Sequence, residues 1–404
     1  MSTSLLYHAF GIRGYDYVAT RYQGGEIFVL IEAPRESFRC PACGSAQVHL
    51  DEWCPRRWKT VPIGAKTVWI EMDVPKLECQ SCGAKRRMEL GFAKAKRQYT
   101  NSFERYVMEL LQYMTPQDVS RHLGLSWDTA NDIQKRRLGK RFARPKLKRL
   151  KHIAIDEIYL GKRHKYITIV LDLDSGAVVF VGDGKGAEAL KPFWKRLKSS
   201  GAKIKAVATD MSPAYIAAVQ KNLPLARLVF DRFHVMKLLN EKLTELRRQL
   251  YREATDLLQK NVLKGIRWLL LKNPENLDEE QNEHGRLDEA LRLNHSLAVA
   301  YYLKDELRLF WEQPGYHAAH RFLADWCRRA DASDIKLLMK FANTLRSHRS
   351  GLLAWHSHPI STGPLEGTNN KIKLLQRRAY GYRDKELFKL RILSLHTTRF
   401  ELVG

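Results

Sequence analysis

The stretch that decides the fold runs from Lys151 to Val235. It reads KHIAIDEIYL (151–160), KYITIVLDLDSGAVVFVGDG (165–184), IKAVATDMSPAY (204–215) and ARLVFDRFHV (226–235). Each piece is rich in Ile and Val, of strand length, and bounded by turn residues. Asp156 lies inside the first run, and Asp210 and Asp231 end two later ones. A carboxylate in an apolar strand is costly unless a cation sits beside it. Several such strands together predict a pocket that collects Mg²⁺. Asp156 shares a strand face with Ala154 and Ile158, while Glu157 points the other way. Position alone leaves open which of the two is the ligand.

The order within this stretch is three strands, a helix near 187–199, a strand, a helix near 213–222 opened by Ser212 and Pro213, and a last strand. A β-meander followed by βαβ units is the order of a ribonuclease H-like α/β core. Residues 236–355 then read as helical almost throughout, with Leu239, Leu243, Leu246 and Leu250 on one apolar face. One more core element follows at Ile360–Arg378, so the helical region reads as an all-α insertion in a core made of 151–235 and 356–404. Gly363-Pro364 starts a helix that puts Glu366 in its first turn. Glu366, Asn370, Lys373 and Arg377 then share one face, beside Lys371 and Arg378, which suits a site holding both metal and phosphate. The bland alternative is that Glu366 serves only the backbone amides of that first turn.

The 404-residue chain carries a formal net charge of +25 and 44% hydrophobic residues. The first figure favours a polyanionic partner and the second a globular protein. No apolar run approaches 18 residues and the N-terminus lacks a signal-peptide pattern, so a cytoplasmic, nucleoid-associated protein with no membrane partner is expected. Reduced cysteines are then metal ligands or core residues. Four of the six stand as Cys40-Pro-Ala-Cys43-Gly and Cys79-Gln-Ser-Cys82-Gly. Two such knuckles supply a closed tetrahedral Zn²⁺ site, one structural ion, in a module spanning 1–95. The 35 residues between them include Thr67-Val68-Trp69-Ile70-Glu71-Met72, which predicts a β-hairpin as in a zinc ribbon.

Residues 96–142 read as helix, helix, tight Gly124 turn and helix, with Ser102 capping the first and Ser126 the third. This is the helix-turn-helix pattern, with Trp127, Asp128, Thr129 and Asn131 facing the major groove and Lys135, Arg136 and Arg137 on phosphates. Ten of the seventeen residues from Lys135 to Lys151 are Lys or Arg and none is acidic. The linker 143–150 therefore predicts phosphate contacts and steep salt dependence.

Ile-Asp-Glu at Asp156, Thr-Asp-Met-Ser at Asp210, Asp231-x-x-His234 and Gly-Pro-Leu-Glu366-Gly-x-Asn-Asn-Lys-Ile-Lys stand in order behind a cysteine zinc motif and a helix-turn-helix. In this the chain resembles the bacterial DDE insertion-sequence transposases, nearest the group named ISL-three. The resemblance implies that Asp156, Asp210 and Glu366 hold two Mg²⁺ (or Mn²⁺) ions, with Asp231 and His234 beside them. It implies cleavage at transposon end repeats, strand transfer into target DNA, a homodimer or higher assembly on DNA, and no small-molecule substrate. Trp268, Trp311 and Trp326 are candidates for stacking on a flipped base, and Cys54 for a substitute zinc ligand. A non-enzymatic DNA-binding regulator would need none of the three carboxylates. A structure-specific nuclease would need no sequence-reading N-terminal module.

Overall fold

The computed structural model describes residues 5–161 and 166–396. The chain divides into two compact units, Met1–Arg141 and Phe142–Gly404.

In the first unit, α1 (Leu5–Phe10) and strands β1 (Asp16–Gln23) and β2 (Glu26–Glu32) precede a long antiparallel hairpin of β3 (Val48–Ile63) and β4 (Lys66–Cys79), with β5 (Lys85–Arg87) added to β4. The sheet order is β1-β2-β4-β3, with β5 pairing β4. Inward residues alternate as strand geometry requires: Ile27, Val29 and Ile31 on β2, and Val68, Ile70, Met72 and Val74 on β4. The hairpin expected between the knuckles is present, and its register sets Val48 opposite Cys79.

Three helices complete this unit: α2 (Asn101–Tyr113), α3 (Pro116–Leu123) and α4 (Trp127–Phe142). Thr100, and not Ser102, caps α2, because the Thr100 side chain accepts the Phe103 amide while Ser102 sits within the first turn. Thr115 and Asp118 form a reciprocal capping box at α3. Gly124, at φ 58°, makes the left-handed turn into α4, where Ser126 Oγ accepts the Thr129 amide. Phe103, Val107, Leu111, Val119, Leu123 and Ile133 close the helical core.

The second unit is built on β6 (His152–Tyr159), β7 (Tyr166–Asp172), β8 (Val178–Asp183), α5 (Lys191–Ser200), β9 (Ala206–Thr209), α6 (Pro213–Asn222) and β10 (Arg227–Phe230). The order across the sheet is β10-β9-β6-β7-β8, with β6, β9 and β10 parallel and the β6–β7–β8 meander antiparallel. The last strand stops at Phe230, next to the Asp231 that ends the run in sequence, and the helical region opens at Arg232 and not at residue 236. Asp231 turns the chain, and α7 (Arg232–Glu253) takes Phe233 to Val235 into its first turn.

Helices α8 (Leu257–Gly265), α9 (Glu283–Leu293), α10 (His295–Leu307), α11 (Tyr316–Ala332), α12 (Lys336–Ser347) and α13 (Arg349–Leu353) follow. They share a core with α7 and with Phe230 at the sheet edge. A Cβ on Gly351 would fall inside the Phe230 ring, so only glycine lets α13 lie this close to β10. Two helices, where one core element was expected, complete the described chain. These are α14 (Gly363–Arg378) beside β6 and α15 (Lys385–Leu393) beside β8.

Lys304 is a buried cation in the helical region, 1% exposed, with Nζ donating to the carbonyls of Leu270 at 3.0 Å and Lys272 at 2.7 Å. Burial pushes its ammonium down from 10.5 to about 8. Between those values the unfolded chain holds a proton that the native chain lacks, so this residue's contribution to stability rises with pH. Urea unfolding of native and Lys304→Met protein from pH 8 to 10 should show the native protein gaining relative to the variant. A second expectation concerns the close approach at Phe230. Gly351→Ala overpacks the seam and should cost about 1–3 kcal/mol, read as a lowered Tm.

Candidate functional site

The parallel register brings three aspartates to one level. Ala154 pairs with Ala208 on β9, and Thr209 pairs with Phe230 on β10. Continuing each ladder to the strand ends sets Asp156, Asp210 and Asp231 side by side at the C-terminal edge. Asp210 Oδ1 accepts the Ser212 amide at 3.0 Å in the turn that launches α6. Asp156 Oδ1 accepts the Glu157 amide at 2.8 Å, and its Oδ2 accepts Asn369 Nδ2 of α14 at 2.9 Å. Burial raises the Asp156 carboxyl above its ordinary range. The two hydrogen bonds and the charge of His234 pull it back, and Asp210 adds to the rise. Two neighbouring carboxylates at one strand edge match the hard-oxygen donor set that Mg²⁺ takes.

Glu157 points to the other face of β6. Its Oε1 accepts the Tyr215 hydroxyl at 2.6 Å and the Gly186 amide at 3.0 Å, tying α6 and the loop after β8 to the sheet. Burial and the Glu157 charge push the Tyr215 hydroxyl up. Of the two adjacent acids, Asp156 faces the aspartate cluster and Glu157 is committed to the fold.

Asp231 is 3% exposed. Its Oδ1 accepts the backbone amide of Thr362 at 3.2 Å, and Oδ2 meets His234 Nδ1 at 3.3 Å. Burial raises the Asp231 carboxyl, but the bonds from His234 and Thr362 outweigh it and hold it below the ordinary range. The same contact raises His234, against its own desolvation and with help from Asp156 and Asp210. Thr362 leads directly into α14.

Glu366 stands exposed in the first turn of α14, its carboxylate with no hydrogen bond or ion pair among the described residues. It does not cap the helix. The carboxylates of Asp156, Asp210 and Glu366 are not gathered within 4.8 Å of one another; among the described residues only the four thiols are. Asn369 escaped the sequence reading, which took Asn370 instead. The buried face of α14 is Leu365, Thr368 and Ile372, which turns Asn369 toward β6 and leaves Asn370, Lys371, Lys373, Arg377 and Arg378 exposed. That apolar spacing was the available signal.

The thiols of Cys40, Cys43, Cys79 and Cys82 lie within 4.8 Å of one another, with sulfurs 3.7 Å apart for Cys40 and Cys82 and 3.6 Å for Cys43 and Cys79. The Ser45 amide favours a Cys43 thiolate, but the neighbouring sulfurs of Cys82 and Cys79 push it up to about 12. Burial opposes ionisation of Cys79, yet the amides of Cys82 and Ser81 bring it down to about 6. One ionised sulfur thus suppresses the next, a conflict that a Zn²⁺ ion resolves. Cys54 is buried on β3 opposite Val74 and takes no part, so it is no substitute ligand.

On α4, Trp127, Asp128 and Lys135 are exposed. Thr129 is engaged with the capping Ser126, and Asn131 Nδ2 donates to the Trp127 carbonyl at 3.1 Å. Arg136 and Arg137 both pair with Glu104 of α2, a carboxylate 1% exposed, at 2.8 Å and 2.6 Å. They clamp the helices together. Of the three tryptophans, Trp311 and Trp326 are buried in the helical core, the latter donating Nε1 to Leu303. Trp268 is 63% exposed, with the Arg267 guanidinium 4.5 Å from its ring centroid.

Comparison with known proteins adds to this geometry. Residues 153–392 match a family model described as "Transposase" of the DDE ISL3 type, 88–138 the "Helix-turn-helix domain of transposase family ISL3", and 36–82 the "zinc-finger of transposase IS204/IS1001/IS1096/IS1165". The chain is 34% identical over 376 residues to the transposase for insertion sequence element IS1001 of Bordetella parapertussis, covering 91% of each chain. It is 28% identical to the transposase for insertion sequence element IS1557 of Mycobacterium tuberculosis, covering 91% of this chain and 87% of that one. Among solved structures, the Drosophila P element transposase strand transfer complex aligns over 76% of this chain and 95% of that one, at 10% identity and a TM-score of 0.39. No helix among the described residues is long and apolar enough to cross a membrane. With one family model spanning more than half its length and a curated relative matched nearly end to end, this chain belongs to the ISL3 family of DDE transposases.

Proposed function

We propose that this DNA transposase binds the terminal inverted repeats of its element, cleaves phosphodiester bonds at the ends and joins them to target DNA. The observation that carries the reading is the level of Asp156, Asp210 and Asp231 across three parallel strands, with α14 drawn to it by Asn369 and Thr362. The strand order, with an antiparallel meander on one side and βαβ units on the other, supports a ribonuclease H-like core interrupted by the helices between β10 and α14.

Asp156, Asp210 and Glu366 would hold two Mg²⁺ or Mn²⁺ ions, which supply Lewis-acid stabilisation of a pentavalent phosphorus and a nucleophilic oxygen at neutral pH. The free carboxylate of Glu366 suits this role. Asp231 is left out of that set: it is 3% exposed, and its oxygens are taken by the Thr362 amide and by His234. It is a positioning residue, holding the start of α14 and orienting His234. His234, raised toward its cationic form, offsets the repulsion between Asp156 and Asp210. Asn369 fixes the Asp156 rotamer. Exposed Lys371, Lys373, Arg377 and Arg378 lie along α14 where backbone phosphates would approach. The four cysteines would hold one structural Zn²⁺, and Trp127, Asp128 and Lys135 would meet the repeat. Joining two ends calls for two active sites or one used repeatedly, and a dimer on DNA supplies the former.

The test is cleavage of labelled DNA bearing the element's own flanking repeats, with Mg²⁺ or Mn²⁺. Losing a ligand removes several kcal/mol of charge stabilisation, so Asp210→Asn and Glu366→Gln should each cut at least ~10³-fold more slowly while binding is retained. Retained cutting in either variant would remove that residue from the ligand set. For the zinc module, Cys40→Ser should weaken end binding, read by gel shift, more than it weakens cutting of non-specific DNA. Equal loss of both would argue against a separate recognition module.

A further inference from the structure

The sheet of the second unit is acidic at one end and basic at the other. Four residues before each aspartate, the same three strands begin at one level: His152 and Arg227 both pair with Ala206. At about 3.3 Å per residue that level lies roughly 13 Å from the carboxylates. Lys151 and Lys205 stand just outside it, and their backbones are bonded to each other and to Arg227: the Lys205 amide donates to the Lys151 carbonyl at 2.7 Å, and the Arg227 amide to the Lys205 carbonyl at 2.8 Å.

Here a cleft of about 1290 Å³ opens, lined by Lys148, Arg149 and Lys151 from the segment entering β6 and by Lys203 and Lys205 from the segment entering β9. Two acids also line it, and both are engaged. Asp172 is 5% exposed and accepts the Ser175 hydroxyl, and Asp174 meets His152 Nδ1 at 2.9 Å. The five Lys and Arg side chains have no ion pair among the described residues. Desolvation and then the charges of His152, Arg227 and Lys205 hold His358 below its ordinary range, so the cationic field extends to the segment before α14. Five like charges in one cleft repel each other, a cost that a polyanion relieves.

We infer that this cleft is a second DNA site, separate from the carboxylate centre, which grips the backbone phosphates of duplex DNA without reading sequence. The inference rests on the reading of the chain as a DNA transposase and adds to it that the catalytic unit holds DNA at both ends of its sheet. The basic run that enters β6 is then one wall of a site whose other wall, Lys203 and Lys205, comes from about fifty residues further on. Phosphate contacts of this kind make affinity fall with salt in proportion to their number.

The test is binding of the full chain to a labelled random-sequence duplex of about 30 base pairs over a series of KCl concentrations, by fluorescence anisotropy. Four proteins are compared: the native chain, Lys203→Gln with Lys205→Gln, the charge-conserving Lys203→Arg with Lys205→Arg, and a control pair on α12, Lys336→Gln with Lys340→Gln. The Gln pair in the cleft should bind more weakly and flatten the slope of log affinity against log salt by about 0.9 per lost contact, near 1.8 in all. The Arg pair and the α12 pair should follow the native line, and all four should melt alike. An unchanged slope in the cleft Gln pair, an equal loss in the α12 pair, or an equal loss in the Arg pair would each overturn the inference. A native chain that binds no DNA at any salt would instead bring down the transposase reading itself.

Discussion

One buried carboxylate ties the strand edge to the start of α14 across a long stretch of chain. Asp231 ends β10, and its Oδ1 receives the backbone amide of Thr362, 131 residues later. All of α7 to α13 lies between these two residues. Asn369 ties α14 to Asp156 nearly two turns further on, so the Asp231 bond is the one that fixes the segment leading into Glu366. The bond is charge-assisted and desolvated, which makes it stronger than a neutral pair at the surface. A buried carboxylate could not stay ionised alone, and His234 supplies the compensating charge from the next helical turn.

A division of labour among neighbouring acids follows. Asp231, through both oxygens, and Glu157, through Oε1, are engaged by the protein and serve geometry. Asp210 and Glu366 are less constrained, and Asp156 is aimed by Asn369. The same economy appears in the helix-turn-helix, where Arg136 and Arg137 close on Glu104. Charge in this molecule is sorted by place, with acids at the C-terminal strand edge and unpaired cations at the N-terminal edge, although the chain as a whole carries +25.

Much of this was legible in advance. The five strands of the second sheet, the helix begun by Ser212 and Pro213, and the hairpin between the knuckles all announce themselves through period, turn residues and caps. What was misread has local causes. The helical region was placed from residue 236, because Phe233 and Val235 continue the apolar residues of the strand; helix begins at Arg232, where Asp231 turns the chain. Thr100 and Ser102 are both good caps, and only the Phe103 amide chooses between them. Asn369 and Asn370 are chemically identical, and the burial of Leu365, Thr368 and Ile372 selects the first.

The sequence by itself determined the family, the order of strands and helices from β6 to α6, the four clustered thiols and the identities of the acidic residues, because these depend on residue type, spacing and short-range period. Which oxygen meets which donor was decided only in three dimensions. Strand register sets Asp156, Asp210 and Asp231 level. Packing of α14 on β6 turns Asn369 inward, and a buried Glu104 pairs with two half-exposed arginines. Each of these brings together residues distant along the chain, and their energies come from desolvation and hydrogen-bond geometry, which one-dimensional spacing does not encode.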